Sequence, residues 1–235
     1  EPLKLTVDVD IQFLIREELL KFQKIFKAKG SAAILMNVNN GEILSMISLP
    51  DFNLNKRETI KNVNYINRIT KGIYELGSVF KTFTVASGIN EGLIEPDTEF
   101  LDTKKSINCG KKHNIEEYDN KMPSDLTVEQ ILIKSGNIGS VRILRKVGIE
   151  KHKLFLKTIG ILDKINFDIS EVGKPQSIDW YEGCKLETIA FGHGITTTIL
   201  QLAKGYSIIT NGGYDIQPTL VKKNLEKKNK KKKVL

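Results

Sequence analysis

Ser78 and Lys81, in the run Ser78-Val79-Phe80-Lys81, are three positions apart. On a helix that spacing puts both side chains on one face, one turn from each other. It is the geometry in which an amine takes the proton of a serine and turns the hydroxyl into a nucleophile. The serine stands where a loop gives way to a helix predicted over 78–90. Unpaired amides and the positive end of the helix dipole therefore surround its side chain, and the Ser78 amide is a candidate oxyanion-hole donor. Val79, Phe80, Phe83, Val85, Ala86 and Ile89 make this helix apolar nearly all round, as in a buried helix. Lys81 is its anomaly, because an unpaired buried ammonium costs several kcal/mol. Desolvation lowers its pKa toward the neutral base that acyl transfer requires. The plain alternative makes Ser78 a helix cap and Lys81 a side chain that snorkels to solvent.

Ser135-Gly136-Asn137 is the second candidate. In an extended loop, residues two apart point to the same side. There the Ser135 hydroxyl relays a proton to a leaving amine, and the Asn137 carboxamide binds a substrate backbone. A helix C-cap followed by the N-cap of the next helix explains the same three residues without chemistry.

The elements that must position these groups are legible in part. Leu3 to Val9 alternates as a short strand. Asp10 then caps a helix whose apolar stripe is Ile11, Leu14, Ile15, Leu19, Phe22, Ile25 and Phe26, closed by Gly30. Two β-rich runs, 32–38 and 42–48, flank Asn39-Asn40-Gly41, which predicts an antiparallel hairpin; Pro50 ends its second strand. Residues 52–71 read as surface connection and 96–123 as loop. Thr127 with Gln130 forms a capping box for a helix over 128–134, and Thr198 with Gln201 another for a helix through Thr210. Between them lie helices over 138–147 and 151–159, the latter ended by Gly160.

The 235 residues suffice for one substantial core. The formal charge of +8 is concentrated at one end. Eight lysines from Lys222 onward against Glu226 alone supply +7 of it, so residues 1–221 are nearly neutral. With no basic stripe interleaved with aromatics, this distribution points away from nucleic acid. Residues 222–235 read as a solvated lysine-rich tail or loop. Cys109 and Cys184 can make at most one bridge, which the sequence does not reveal. Cys109 and His113 have metal-ligand spacing but no second pair, so no metal is implied. No apolar run approaches the roughly 20 residues of a membrane span.

Along most of its length the chain resembles the transpeptidase domain of a class B penicillin-binding protein, and the septal cell-division branch in particular. Ala32 to Met46 resembles the family's first two strands, and Tyr74-Glu75-Leu76-Gly77-Ser78-Val79-Phe80-Lys81 its nucleophile segment. Lys134-Ser135-Gly136-Asn137-Ile138-Gly139 resembles its second motif. Phe191-Gly192-His193-Gly194-Ile195-Thr196, with Gln201 to Tyr206 and Asn211-Gly212-Gly213, resembles the segment before its third motif. The resemblance implies an α+β fold with helices around an antiparallel sheet, partial over 1–221. It implies Ser78 as nucleophile, Lys81 as base, and Ser135 and Asn137 as groups that shape proton transfer and align substrate. The implied substrates are peptidoglycan stem peptides ending in D-Ala-D-Ala, with β-lactams acylating the same serine and no cofactor. The implied partners are membrane proteins of the division machinery, a glycosyltransferase among them. The implied location is the bacterial inner membrane, with the domain on its periplasmic or extracellular side.

The family's third motif, Lys-Thr-Gly or Lys-Ser-Gly after Asn211-Gly212-Gly213, is absent up to Leu235. Lys134-Ser135-Gly136 has the letters but overlaps the second motif. The chain therefore reads as a fragment without the last strands, expected to be poorly stable and nearly inactive alone, with one strand edge unpaired. Two other functions fit parts of the pattern. A serine β-lactamase or penicillin sensor shares Ser-x-x-Lys, and a non-catalytic division scaffold would explain the lost third motif.

Overall fold

The computed structural model describes residues 2–53, 55–61, 64–103, 106–109, 114–180, 183–222 and 232–235. In chain order its elements begin with α1 (Val9–Ile25), β1 (Ser31–Met36), β2 (Ile43–Leu49), α2 (Lys81–Asn90), β3 (Glu99–Phe100), β4 (Ser106–Asn108) and β5 (Asn114–Glu116). They continue with β6 (Leu126–Thr127), α3 (Val128–Ile133), α4 (Asn137–Val147), α5 (Ile149–Thr158), α6 (Gly183–Thr188) and α7 (Ile199–Thr210). The chain forms two compact units, one of residues 1–74, 159–175 and 197–235, the other of 75–158 and 176–196.

In the first unit β1 and β2 form the predicted antiparallel hairpin, with Gly41 in the left-handed region that its turn requires. A register shift lies between Leu35 and Met36. The outer edge of β2 is occupied. The Asp8 amide donates to Leu44 O at 2.9 Å, and the Gln12 side chain takes both polar groups of Met46, at 2.9 and 3.1 Å. Thus the N-terminal segment covers an edge that would otherwise offer itself for pairing. Ile43, Ile69, Ile165, Val172 and Leu200 form the core here, with α7 packed on β1. Gln201 completes the predicted capping box, and its amide donates to the carbonyls of Gly160, Ile161 and Asp163.

α1 departs from the expectation at both ends and along its face. Asp8, not Asp10, is the cap, its carboxylate accepting from the amides of Asp10 and Ile11. The helix ends at Ile25, and Lys27, not Gly30, takes the left-handed conformation, with φ +51°. No α1 residue is buried, and Phe13, Leu14, Phe22, Ile25 and Phe26 are exposed. Ile11, Ile15 and Leu19 of the predicted stripe are half-buried, and beside them Gln12 and Gln23 bond Ser45 and Ser31 of the hairpin. Residues 223–231 of the lysine tail lie outside the described residues. Lys232 to Leu235 run back along 213–215, where the Asp215 amide donates to Lys232 O at 2.8 Å.

The second unit is mainly helical. α2 packs against α3, α4, α5 and a 3-10 turn at Ile189–Phe191. Glycines permit close contacts: a Cβ on Gly139 of α4 would lie 2.6 Å from Ile131 Cγ1 of α3, and one on Gly88 would lie 2.5 Å from Cδ1 of Ile94, in the segment after α2. The capping box of Thr127 and Gln130 has both its bonds, at 3.0 and 3.2 Å. The segment expected as loop over 96–123 carries β4 paired with β5, and β3, which pairs with β6 just beyond it. Polar, turn-rich composition concealed them, because strands of two and three residues carry no readable alternation. Cys109, at the end of β4, is disulfide-bonded. That leaves it unable to bind metal with His113, which lies outside the described residues.

Candidate functional site

Ser78, Lys81, Ser135 and Asn137 all line one cavity of about 370 Å³ within the second unit. Tyr118, Asp119, Met122, Lys134, Phe191 and His193 complete its walls. Helix packing assembles it: α2 and the turn leading into it bring the first pair, and the α3–α4 connection brings the second.

Ser78 lies not in the α-helix proper but in a 3-10 turn, Gly77–Phe80, that leads into α2. Its side chain is exposed to the cavity mouth while Phe80, two residues on, is fully buried. Gly77, at φ +60°, donates its amide to Gly192 O at 3.3 Å. Gly192 is itself left-handed, at φ +81°, and a Cβ there would overlap the Gly77 carbonyl oxygen. Glu75 accepts from the Gly194 amide at 3.2 Å, and its other oxygen lies 4.0 Å from His193 Nδ1. The segment 191–194 therefore braces the turn that holds Ser78, and its glycines permit that close approach.

Lys81 is 1% exposed. It does not snorkel. Its amine donates to Ser135 Oγ at 2.9 Å and to the Ser135 carbonyl oxygen. Burial pushes its pKa down from 10.5 to about 8, against the Glu117 carboxylate, which raises it. The fraction of neutral amine near pH 7 thereby rises by about two orders of magnitude. A group poised in this way is suited to general base work.

Ser135 and Asn137 are not in an extended loop, contrary to the expectation. Ser135 stands in the left-handed conformation at φ +56°, and Asn137 is the first residue of α4. The Gly136 amide donates to Ile131 O at 2.9 Å and the Ser135 amide to Leu132 O at 3.1 Å, closing α3. The plain capping geometry and the clustering of polar groups are thus one arrangement: the turn that ends α3 is what offers both Ser135 oxygens to Lys81. Asn137 Nδ2 donates to Glu116 O at 2.9 Å.

Glu117 escaped the sequence reading. Its carboxylate accepts the amides of Asn137 and Ile138 at 2.7 and 2.9 Å. Twenty residues separate it from Asn137, so no local spacing signalled it. Among the described residues no group of three or more His, Cys, Asp or Glu side chains is gathered as a metal would require.

The family model for the penicillin binding protein transpeptidase domain matches residues 31–235. The chain belongs to this family. The transpeptidase domain is 29% identical over 222 residues to a probable peptidoglycan D,D-transpeptidase FtsI of Caulobacter vibrioides, covering 94% of this chain and 37% of that protein. It is 31% identical to peptidoglycan D,D-transpeptidase FtsI of Buchnera aphidicola, covering 94% and 38%. This domain thus spans less than two-fifths of the length of these curated relatives. Its fold matches the transpeptidase domain of Burkholderia pseudomallei penicillin-binding protein 3 with a TM-score of 0.84 at 23% identity, over 98% of this chain and 65% of that one. A peptidoglycan glycosyltransferase structure from Burkholderia ambifaria gives 0.85 at 24% identity, over 98% and 69%. The α+β architecture expected from the sequence is therefore the family's own. Its sheets here are short and antiparallel.

Proposed function

We propose that this domain is the catalytic part of a peptidoglycan D,D-transpeptidase that cross-links stem peptides during septal wall synthesis through an acyl-serine intermediate. Ser78 Oγ adds to the carbonyl carbon of the penultimate D-alanine while its proton passes to the Lys81 amine. The C–N bond to the terminal D-alanine breaks, and the proton reaches the leaving nitrogen by way of the Ser135 hydroxyl. The amine of a neighbouring stem peptide then attacks the ester. It forms the new amide, gives its proton to the Lys81–Ser135 pair, and Ser78 regains its hydroxyl. Asn137 aligns the peptide backbone of the substrate. β-Lactams acylate the same serine.

One observation carries this reading: a buried lysine with a lowered pKa, bonded to Ser135, shares a cavity with an exposed serine three residues before it. The names of the relatives support the reaction class. The disulfide at Cys109 supports an oxidising compartment, such as the outer face of the inner membrane. Membrane proteins of the division machinery, with a glycosyltransferase among them, are the partners of this reading.

The test is labelling of the full-length protein by a fluorescent penicillin. Ser78 becomes acylated, and S78A abolishes the label. The second-order rate climbs about tenfold per pH unit from pH 6 and levels above pH 8, following the neutral fraction of Lys81. Undiminished labelling of S78A, or a rate unchanged between pH 6 and 8, refutes the proposal. Rapid turnover of nitrocefin would instead assign a β-lactamase.

A further inference from the structure

We infer that Glu117 is a positioning residue of the acyl-transfer site: from the end of the β4–β5 hairpin its carboxylate grips the first two amides of α4 and so sets where the Ser135-Gly136-Asn137 turn presents its groups. The inference rests on the acyl-serine reading above.

The need for such a residue is built into α4. The first amides of a helix lack partners within it, and Gly136 at the N-cap has no side chain to supply one. Glu117 meets the deficit with both oxygens, at 2.7 Å from Asn137 N and 2.9 Å from Ile138 N. These are charge-assisted bonds at the positive end of the helix dipole. Its chain neighbour Glu116 takes the Asn137 carboxamide on its carbonyl at 2.9 Å. Two consecutive hairpin residues thus fix both the backbone and the side chain of Asn137.

The same grip bears on Ser135. A non-glycine residue at φ +56° costs about 1 kcal/mol or more and persists only where its surroundings over-determine it. The α3 carbonyls of Ile131 and Leu132 hold the turn from one side. Glu117 holds it from the other, with Oε1 3.6 Å from where a Gly136 Cβ would stand. The result is the conformation in which both Ser135 oxygens meet the Lys81 amine. The Glu117 charge also opposes the effect of burial on Lys81. The other titratable groups around that amine are Tyr118, Asp119, Lys134 and His193 on the cavity wall, with Glu75 beside His193. On the α5 side of α2 stands His152, fully buried.

The experiment compares full-length wild type, E117A and E117Q by penicillin acylation against pH and by amide hydrogen exchange. E117A is expected to lose acylation rate on the order of 100-fold, the scale of a small misplacement of reacting groups. In it the Asn137 and Ile138 amides exchange faster while those of α7 keep their protection, which shows the fold intact. E117Q, with one acceptor oxygen left, recovers part of the rate. Its rising pH limb moves to lower pH, because the charge that raises the Lys81 pKa is gone. The loss of rate in E117A falls on the acylation step and not on the preceding binding of penicillin, a split that a merely structural cap would not produce. If wild type is labelled at Ser78 while E117A keeps the wild-type acylation rate, or loses rate only with the protection of α7, the inference falls and the acyl-serine reading stands. If wild type is not labelled at Ser78, both fall.

Discussion

Replacing Lys81 by Met should make the protein more stable and abolish its acylation. The magnitude follows from burial. At pH 7 the ammonium is charged in a site where burial lowers its pKa from 10.5 to about 8. At about 1.4 kcal/mol per unit, holding the charge there costs about 3 kcal/mol relative to the unfolded chain. Methionine has a similar length and no charge, but it leaves the Ser135 hydroxyl and carbonyl without a donor, a loss of about 1 kcal/mol. The net expectation is a gain of about 2 kcal/mol at pH 7. The pH dependence has a definite sign. Below about pH 8 folded and unfolded states both hold the proton, so the cost is complete. Between about 8 and 10.5 the unfolded state alone holds it, so wild-type stability rises with pH and the advantage of K81M disappears. Urea unfolding at pH 7 and pH 10, followed by the fluorescence of Trp180 in the same unit, measures both quantities. A K81M protein about 2 kcal/mol less stable at pH 7, or a difference independent of pH, would refute the assignment of Lys81 as a strained functional base.

Two further outcomes follow from buried groups away from the amine. His152 is fully buried with both ring nitrogens unpartnered, and burial lowers its pKa from 6.5 to about 4. Since the unfolded state binds the proton first, stability should fall by about 3 kcal/mol as pH drops from 6.5 to 4. H152L should flatten that slope, as read from urea midpoints at pH 7 and 4.5. At Gly192, alanine must adopt φ +81° and displace the Gly77 carbonyl. G192A is expected to cost about 2 kcal/mol and at least tenfold in penicillin labelling of Ser78, measured by unfolding midpoint and acylation rate.

Much of the fold was legible because its signals are local. Asn39-Asn40-Gly41 announced the hairpin, and Thr127 with Gln130 and Thr198 with Gln201 announced the starts of α3 and α7, each within four residues of chain. α1 shows where local pattern misleads. Its apolar residues suggested an inward stripe of Ile11, Leu14, Ile15, Leu19, Phe22, Ile25 and Phe26, yet only Ile11, Ile15 and Leu19 are half-buried, and Gln12 and Gln23 share the hairpin contact because strand edges and serines offer hydrogen bonds that leucine cannot meet. The short ladders over 99–127 were invisible for lack of length.

Within the candidate site the division is similar. Ser78 and Lys81 were marked by their spacing, and Ser135 and Asn137 by a family motif. That the Lys81 amine rests on Ser135, 54 residues away, was not. Nor was the grip of Glu117 on α4, or the brace of Gly192 against Gly77. The residue order alone determined which groups are available for the proposed acyl transfer, and the caps and turns that begin the elements carrying them. Only the packed structure decided which of those groups touch, because contacts across tens of residues depend on how helices close over a common core, and no short window of chain holds that information.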